Sequence, residues 1–270
     1  MRIVVKVGTS TLCHEGRGLH FRNIEGIARA LADVKNEGYD VVLVSSGAIG
    51  AGVGKLNLGA RPTDLRVKQA VASVGQCELM HIYDKFFGEY GAAVGQILLT
   101  RDDVERPTVR ENLLGTFEAL FALGVIPVVN ENDAVAFEEI ESEHFVFGDN
   151  DTLSAVVASL VGADLLMILS DIDGLFDGDP RKNPNARLIP LVEEITPELE
   201  RLAGGVGSPL GTGGMVTKLQ AARIAGAAGV DMVIVNGAVP DNIYKAAHGE
   251  PVGTMLRAPK TLSAESRKKT

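Results

Sequence analysis

Ile3-Val4-Val5-Lys6-Val7-Gly8-Thr9-Ser10 is the stretch from which the fold can be read. Residues 3–7 are strand-length, lack apolar–polar alternation and end at a glycine followed by two hydroxyl side chains. A strand with one wet face alternates, whereas a strand covered on both faces reads as a continuous apolar run. The same kind of run recurs at Val41–Val44, Val94–Leu99, Val125–Val129, Leu165–Leu169 and Met232–Val235. Helical patterns lie between them. Residues 23–37 set Ile24, Ile27, Ala28, Leu31 and Val34 on one face, and Gly38 suits the position past a helix end. Residues 64–90 read as a longer helical region in which Gly75 marks a candidate break. Residues 110–123, 151–161 and 218–228 complete the set. Strands alternating with helices imply an α/β protein, a three-layer α/β/α sandwich on a mostly parallel sheet.

Composition narrows the function. The chain has 270 residues, 26 basic against 35 acidic, for a formal charge of −9. That balance argues against a general nucleic-acid binder, which is usually basic. Two cysteines, Cys13 and Cys77, make neither a disulfide framework nor a Cys-rich zinc site, and fit a reducing cytoplasm. The first residues are too short an apolar run for a signal peptide, and no stretch approaches the roughly 20 apolar residues of a membrane span. The sequence therefore gives an expectation of a soluble protein without membrane or nucleic-acid partners. Glycine is in excess: 31 residues, well above the usual share of about 7%. Glycines serve where backbone must turn sharply or approach a ligand closely, so their placement bears on function.

Polar residues gather where the apolar runs stop: Gly8-Thr9-Ser10, Ser45-Ser46-Gly47, Asn130-Glu131-Asn132-Asp133, Ser170-Asp171 and Asn236-Gly237. Ligands of open parallel sheets sit beyond the carboxyl ends of strands, so these segments are expected to converge on one site. Familiar phosphate motifs fail. Gly50-Ala51-Gly52-Val53-Gly54-Lys55 resembles a P-loop, but the first glycine would fall on Ile49, and Leu56 replaces Ser/Thr. No G-x-G-x-x-G follows a strand. The best phosphate cradle is Gly211-Thr212-Gly213-Gly214-Met215-Val216-Thr217-Lys218 at a helix start, with Thr217 able to cap the helix. Lys218 opposes the helix dipole there, a local rule broken in a way that points to function rather than to a solvated lysine. Lys6, late in a buried strand, either snorkels from the strand end or projects a point charge toward a phosphate. Gly148-Asp149-Asn150-Asp151 precedes a helix. Capping accounts for one aspartate, and the second is free to hold lysines, bind substrate or assist Mg²⁺. The five histidines show no metal or triad spacing, and G-x-S-x-G is absent, so serine-hydrolase chemistry is disfavoured. Gly8, Gly47, Gly50, Gly52, Gly148, Gly211, Gly213 and Gly214 are read as ligand-approach glycines, and Gly38 and Gly124 as helix stops.

Together these segments resemble the amino acid kinase family, from Val5-Lys6-Val7-Gly8-Thr9-Ser10 to about Thr254. The Ser45–Ile49 motif combined with Asn130–Asp133 is the more specific pair, and it points to the branch acting on L-glutamate. Further markers are Gly148–Asp151, Ser170-Asp171, Gly174-Leu175-Phe176, Asp179-Pro180-Arg181 and Gly211–Lys218. The resemblance implies transfer of a phosphoryl group from ATP, with Mg²⁺, to the γ-carboxylate of L-glutamate, the entry step to proline. It implies catalytic roles for Lys6, Lys218, Asp151 and Gly47, and glutamate binding by Ser46, Asp133 and Asn150. Nucleotide binding falls to Lys6, Ser170, Asp171, Thr212, Gly213, Gly214, Met215, Val216, Thr217 and Lys218, with no resident metal ligand. Residues 1–161 are expected to form the glutamate lobe, 162–257 the ATP lobe and 258–270 a polar tail. The resemblance further implies a cytoplasmic homo-oligomer, dimer or tetramer, with proline as feedback inhibitor and glutamyl phosphate reductase as partner. Many members continue into a PUA-type module, for which this sequence leaves no room. Phe176 departs from a common tyrosine, and residues 110–112 match the family's helix start only approximately. The rival readings are a sister kinase with another acceptor, and a non-catalytic ligand sensor on the same fold.

Overall fold

The computed structural model describes residues 1–14, 18–135, 149–204 and 214–259. The chain runs β1 (Arg2–Val7), α1 (Thr9–Leu12), β2 (Cys13–His14), β3 (Gly18–Leu19), α2 (Phe21–Asn36), β4 (Asp40–Ser45), α3 (Ala48–Leu56), α4 (Leu65–Glu89), β5 (Ala93–Leu99), α5 (Arg101–Glu105), α6 (Pro107–Ala122) and β6 (Val125–Glu131). It continues with α7 (Asn150–Leu160), β7 (Leu165–Ser170), β8 (Leu191–Val192), α8 (Pro197–Ala203), α9 (Met215–Ala227), β9 (Asp231–Asn236), α10 (Asp241–Ala247) and β10 (Thr254–Leu256). All six runs singled out in the sequence are strands. β1, β4 and β7 are buried along nearly their whole length, which is why they carry no alternation.

Two units make up the chain: Met1–Lys6 with Gly148–Thr270, and Val7–Phe147. In the first, neighbouring strands follow the order β1-β7-β9-β10-β8; in the second, β5-β6-β4. The β4–β6, β5–β6, β7–β9 and β8–β10 pairs are parallel, and β9–β10 is antiparallel. Helices flank a mostly parallel sheet, as the alternation of elements required. The division by compactness groups α7 with β7 and β9, ahead of the expected lobe boundary at residue 161.

In the second unit the segment after β4 forms a helix, α3, where the sequence suggested a turn and an incomplete P-loop. Three glycines inside nine residues make a poor helix by propensity, each costing about 1 kcal/mol against alanine. Tertiary packing explains them. A Cβ at Gly52 would lie 2.1 Å from the Val71 carbonyl oxygen, and one at Gly54 would lie 2.6 Å from Gly18 Cα. Gly50 similarly abuts the Cys13 sulfur at 2.8 Å. These glycines let α3 pack against its neighbours, which corrects the expectation that Gly50 and Gly52 face a ligand. Gly75 is the counterpart on α4, where an added Cβ would sit 1.7 Å from the Ala48 carbonyl oxygen. α4 is continuous through Gly75, so that residue marks a close crossing of α3 and α4 rather than a break. Tyr83 and Phe87 on α4 and Phe117 on α6 are fully buried and anchor the helical layer. Among the described residues, no helix is long and apolar enough to cross a membrane.

In the first unit α7 packs along α9. Asp149 caps α7, its side chain accepting from Thr152 N at 2.9 Å. That bond fixes the first turn of α7, and with it Asn150 and Asp151. β7 and β9 run in register, with Ser170 opposite Asn236, so two polar strand ends lie side by side.

Candidate functional site

Asp151 is the centre of the site in the first unit. Its side chain is wholly inaccessible. Lys6 Nζ lies 2.6 Å from Oδ1, and Lys218 Nζ lies 3.1 Å from Oδ2. Both lysines are themselves buried, at 8% and 6% exposure. β1 delivers Lys6, the first turn of α7 delivers Asp151, and the first turn of α9 delivers Lys218. Of the two readings open for Lys6, snorkelling fails, since the ammonium ends on a buried carboxylate rather than in water. Burial pushes the Asp151 carboxyl upward in pKa, but the Lys6 and Lys218 ammonium groups and their hydrogen bonds outweigh it, holding it below the usual 3.8. One buried carboxylate thus faces two buried cations. Charged groups are costly to bury without a partner, and the shared carboxylate offsets that cost for both ammonium groups.

The helix start is built differently from the expectation. Gly214, not Thr217, is the N-cap of α9, and no side chain caps it. The Thr217 hydroxyl instead lies 2.9 Å from Asp151 Oδ2 and 2.7 Å from the Gly214 carbonyl oxygen, so its single proton serves one acceptor at a time. Uncapped amides at a helix N-terminus remain available to an anion. Met215 is half-buried and Val216 exposed. Ser170 is buried with its hydroxyl 3.3 Å from Asp171 Oδ1, and the exposed Asp171 pairs with Arg181 at 2.5 Å. Asn236 joins this strand-end group by donating to Asp173 at 2.8 Å. Asp173 went unremarked in the sequence because a lone aspartate in a polar loop carries no periodic or spacing signal. Thr212 and Gly213, with Gly148 and Gly211, lie outside the described residues.

In the second unit the turn between β4 and α3 carries Ser46 and Gly47. Gly47 is the N-cap of α3 with φ +98°, a left-handed conformation that disfavours any residue with a Cβ. Ser46 N donates to Val7 O at 2.9 Å, and Gly8 is the N-cap of the short α1. Past β6, Asn130 is buried. Its amide donates to Gln76 at 2.9 Å while its carbonyl oxygen accepts from Glu131 N, so this side chain ties β6 to α4. Asp133 is half-buried, and desolvation raises its pKa against the opposing pull of Arg61. Among the described residues, no three His, Cys, Asp or Glu side chains form a metal-binding group.

The mostly parallel sheet flanked by helices and the buried lysine–aspartate–lysine cluster together define an α/β protein of a recognisable class. The family model described as the amino acid kinase family matches residues 1–236, and the chain belongs to that family. It is 55% identical over 259 residues to the glutamate 5-kinase of Clostridium perfringens, covering 96% of each chain. To the glutamate 5-kinase of Listeria welshimeri it is 54% identical over 267 residues, covering 98% of this chain and 96% of the relative. Among solved structures it resembles an isopentenyl phosphate kinase, with a TM-score of 0.65 at 19% identity, over 95% of this chain and 100% of that one. The UMP kinase of Bacillus anthracis gives a TM-score of 0.63 at 17% identity, over 97% and 96%. At those identities the two structures speak to the fold alone.

Proposed function

We propose that the protein is a glutamate 5-kinase, transferring the γ-phosphoryl group of ATP to the γ-carboxylate of L-glutamate to give γ-glutamyl phosphate and ADP. The observation that carries the reading is the buried Lys6–Asp151–Lys218 cluster, taken with more than half identity to enzymes of that name. A carboxylate is already a nucleophile, so no general base is needed. One γ-carboxylate oxygen forms the new bond to phosphorus as the bond to the ADP oxygen breaks, and no proton moves. What the protein must supply is alignment and charge neutralisation. Lys6 and Lys218 meet the phosphoryl charge, Asp151 fixes both ammonium groups, and the Gly47 amide donates to a phosphoryl oxygen. Ser46, Asn150 and Asp133 take glutamate, Asp133 pairing with the α-ammonium. Ser170, Asp171 and the Thr212–Lys218 segment take the nucleotide. Magnesium belongs to this reading as part of the nucleotide substrate, on the phosphate oxygens, because Asp151 is already occupied by two lysines and a hydroxyl.

A cytoplasmic place at the head of proline synthesis, a homo-oligomer of two or four chains, inhibition by proline and a glutamyl phosphate reductase receiving the labile product belong to the same proposal. So does the assignment of glutamate to residues 1–161 and ATP to residues 162–257. Hydroxylamine trapping tests the core of it: glutamate with MgATP yields the γ-hydroxamate, while aspartate and N-acetylglutamate yield none. Hydroxamate from one of those acids and not from glutamate would sink the assignment.

A further inference from the structure

Beneath the Gly47 turn lies a hydrogen-bond chain with no part in the roles assigned above. Tyr83, in the middle of α4, is completely buried, and its hydroxyl lies 2.8 Å from Ser45 Oγ. Ser45 Oγ in turn donates to the Ser46 carbonyl oxygen at 2.9 Å. A serine hydroxyl has one proton. With that proton on the Ser46 carbonyl, the Ser45 oxygen accepts from Tyr83, and the chain has one direction: Tyr83 O–H to Ser45 O–H to Ser46 C=O. Burial raises the phenol pKa far above its usual value, so Tyr83 remains a donor throughout the working pH range.

The Ser46 carbonyl belongs to the same planar peptide unit as the Gly47 N–H. In a trans peptide the two point in opposite directions, so anchoring one aims the other. Gly47 sits in the left-handed region and lacks a side chain, so the aim of this plane depends on the hydrogen bonds its polar groups make. We propose that Tyr83, acting through Ser45, is a positioning residue that aims the Gly47 N–H at the transferring phosphoryl group. The inference rests on the role given to Gly47 above. An amide donor aligned before reaction contributes most where charge develops, so its loss falls on kcat more than on binding.

Tyr83→Phe removes the donor and keeps the ring. Its kcat is expected to fall about threefold to tenfold, the range for one neutral hydrogen bond, with the KM for glutamate and for ATP nearly unchanged. Ser45→Ala is expected to lower kcat at least as far, Ser45→Thr to recover most of it, and the Ser45→Ala/Tyr83→Phe double variant to be no slower than Ser45→Ala alone. Tyr90→Phe is the control: Tyr90 donates to Glu25, joining the end of α4 to α2, and its loss should lower Tm without touching kcat. The backbone ¹⁵N–¹H resonance of Gly47, read in ¹⁵N-glycine-labelled protein without substrate, is expected to shift in Tyr83→Phe and stay put in Tyr90→Phe. Unchanged kcat and an unmoved Gly47 resonance in Tyr83→Phe would overturn the proposal, as would rate losses that multiply in the double variant. A wild-type enzyme that forms no glutamyl hydroxamate would instead refute the functional reading, and the Gly47 resonance would still decide whether Tyr83 sets the amide.

Discussion

Asp151 shows most clearly how one residue serves both stability and chemistry. Substituting asparagine removes the buried anion that Lys6 and Lys218 share. Breaking a buried pair in this way typically costs about 3–5 kcal/mol. Asp151→Asn should therefore unfold at markedly lower urea concentration at pH 7, with kcat reduced by orders of magnitude. The acid dependence follows from the depressed pKa. A carboxyl held below its unfolded value of 3.8 contributes stability at pH values above 3.8, and that contribution is lost as pH falls through the folded value. The difference between wild type and Asp151→Asn should accordingly shrink once urea titrations are carried below pH 3.8. Parallel stability curves down to pH 2 would contradict this account. Lys218 was legible in the sequence because a cation in a first helical turn breaks a local rule. Tyr83 was not, because a tyrosine in an amphipathic helix reads as core whether or not its hydroxyl holds a partner.

α3 and α4 carry the main lesson at the level of elements. Propensity argued against α3, whose Gly50, Gly52 and Gly54 weaken it, and Gly75 marked a candidate break in α4. Gly52 and Gly75 share one cause, a crossing of the two helices so close that backbone lies in the way of any Cβ, while Gly50 and Gly54 make room for Cys13 and Gly18. Gly75→Ala places a methyl group 1.7 Å from the Ala48 carbonyl oxygen, which no rotamer can relieve because a Cβ has none. The variant should lose about 3 kcal/mol or more in urea denaturation, at the upper end of overpacking costs, and kcat should fall because Gly47 caps the displaced helix. A stable, fully active Gly75→Ala enzyme would show that α3 shifts freely. The strands posed no such difficulty. A run such as Leu165–Ser170 is buried at every position, so its pattern and its environment say the same thing.

For the whole molecule, a net charge of −9 is compatible with the anionic substrates proposed above, since Lys6 and Lys218 are gathered at one buried carboxylate. The acidic composition argued against nucleic acid as the main partner. The placement of Lys6 and Lys218 is what favours a nucleotide. Ligands that bind only the folded chain stabilise it by mass action, by about 2.7 kcal/mol at a hundredfold excess over Kd. Glutamate and MgATP should each raise Tm by roughly 5 °C at such concentrations in a chain of this size. Asp133→Ala should abolish most of the glutamate shift and keep the nucleotide shift. Equal loss of both would contradict the role given to Asp133.

The sequence by itself determined the fold class, the buried strands, the helix stops at Gly38 and Gly124, and the polar strand ends, because local burial is written directly into the periodicity of side chains. It also marked Lys6, Asp151 and Lys218 as candidates. Only the tertiary structure decided that Asp151 binds both lysines, that Gly214 rather than Thr217 begins α9, that Gly50, Gly52 and Gly75 serve packing, and that Tyr83 reaches the Ser46–Gly47 peptide through Ser45. Each of those facts depends on a contact between residues distant in the chain, 145 positions apart for Lys6 and Asp151 and 38 for Tyr83 and Ser45, and no local pattern encodes such a distance.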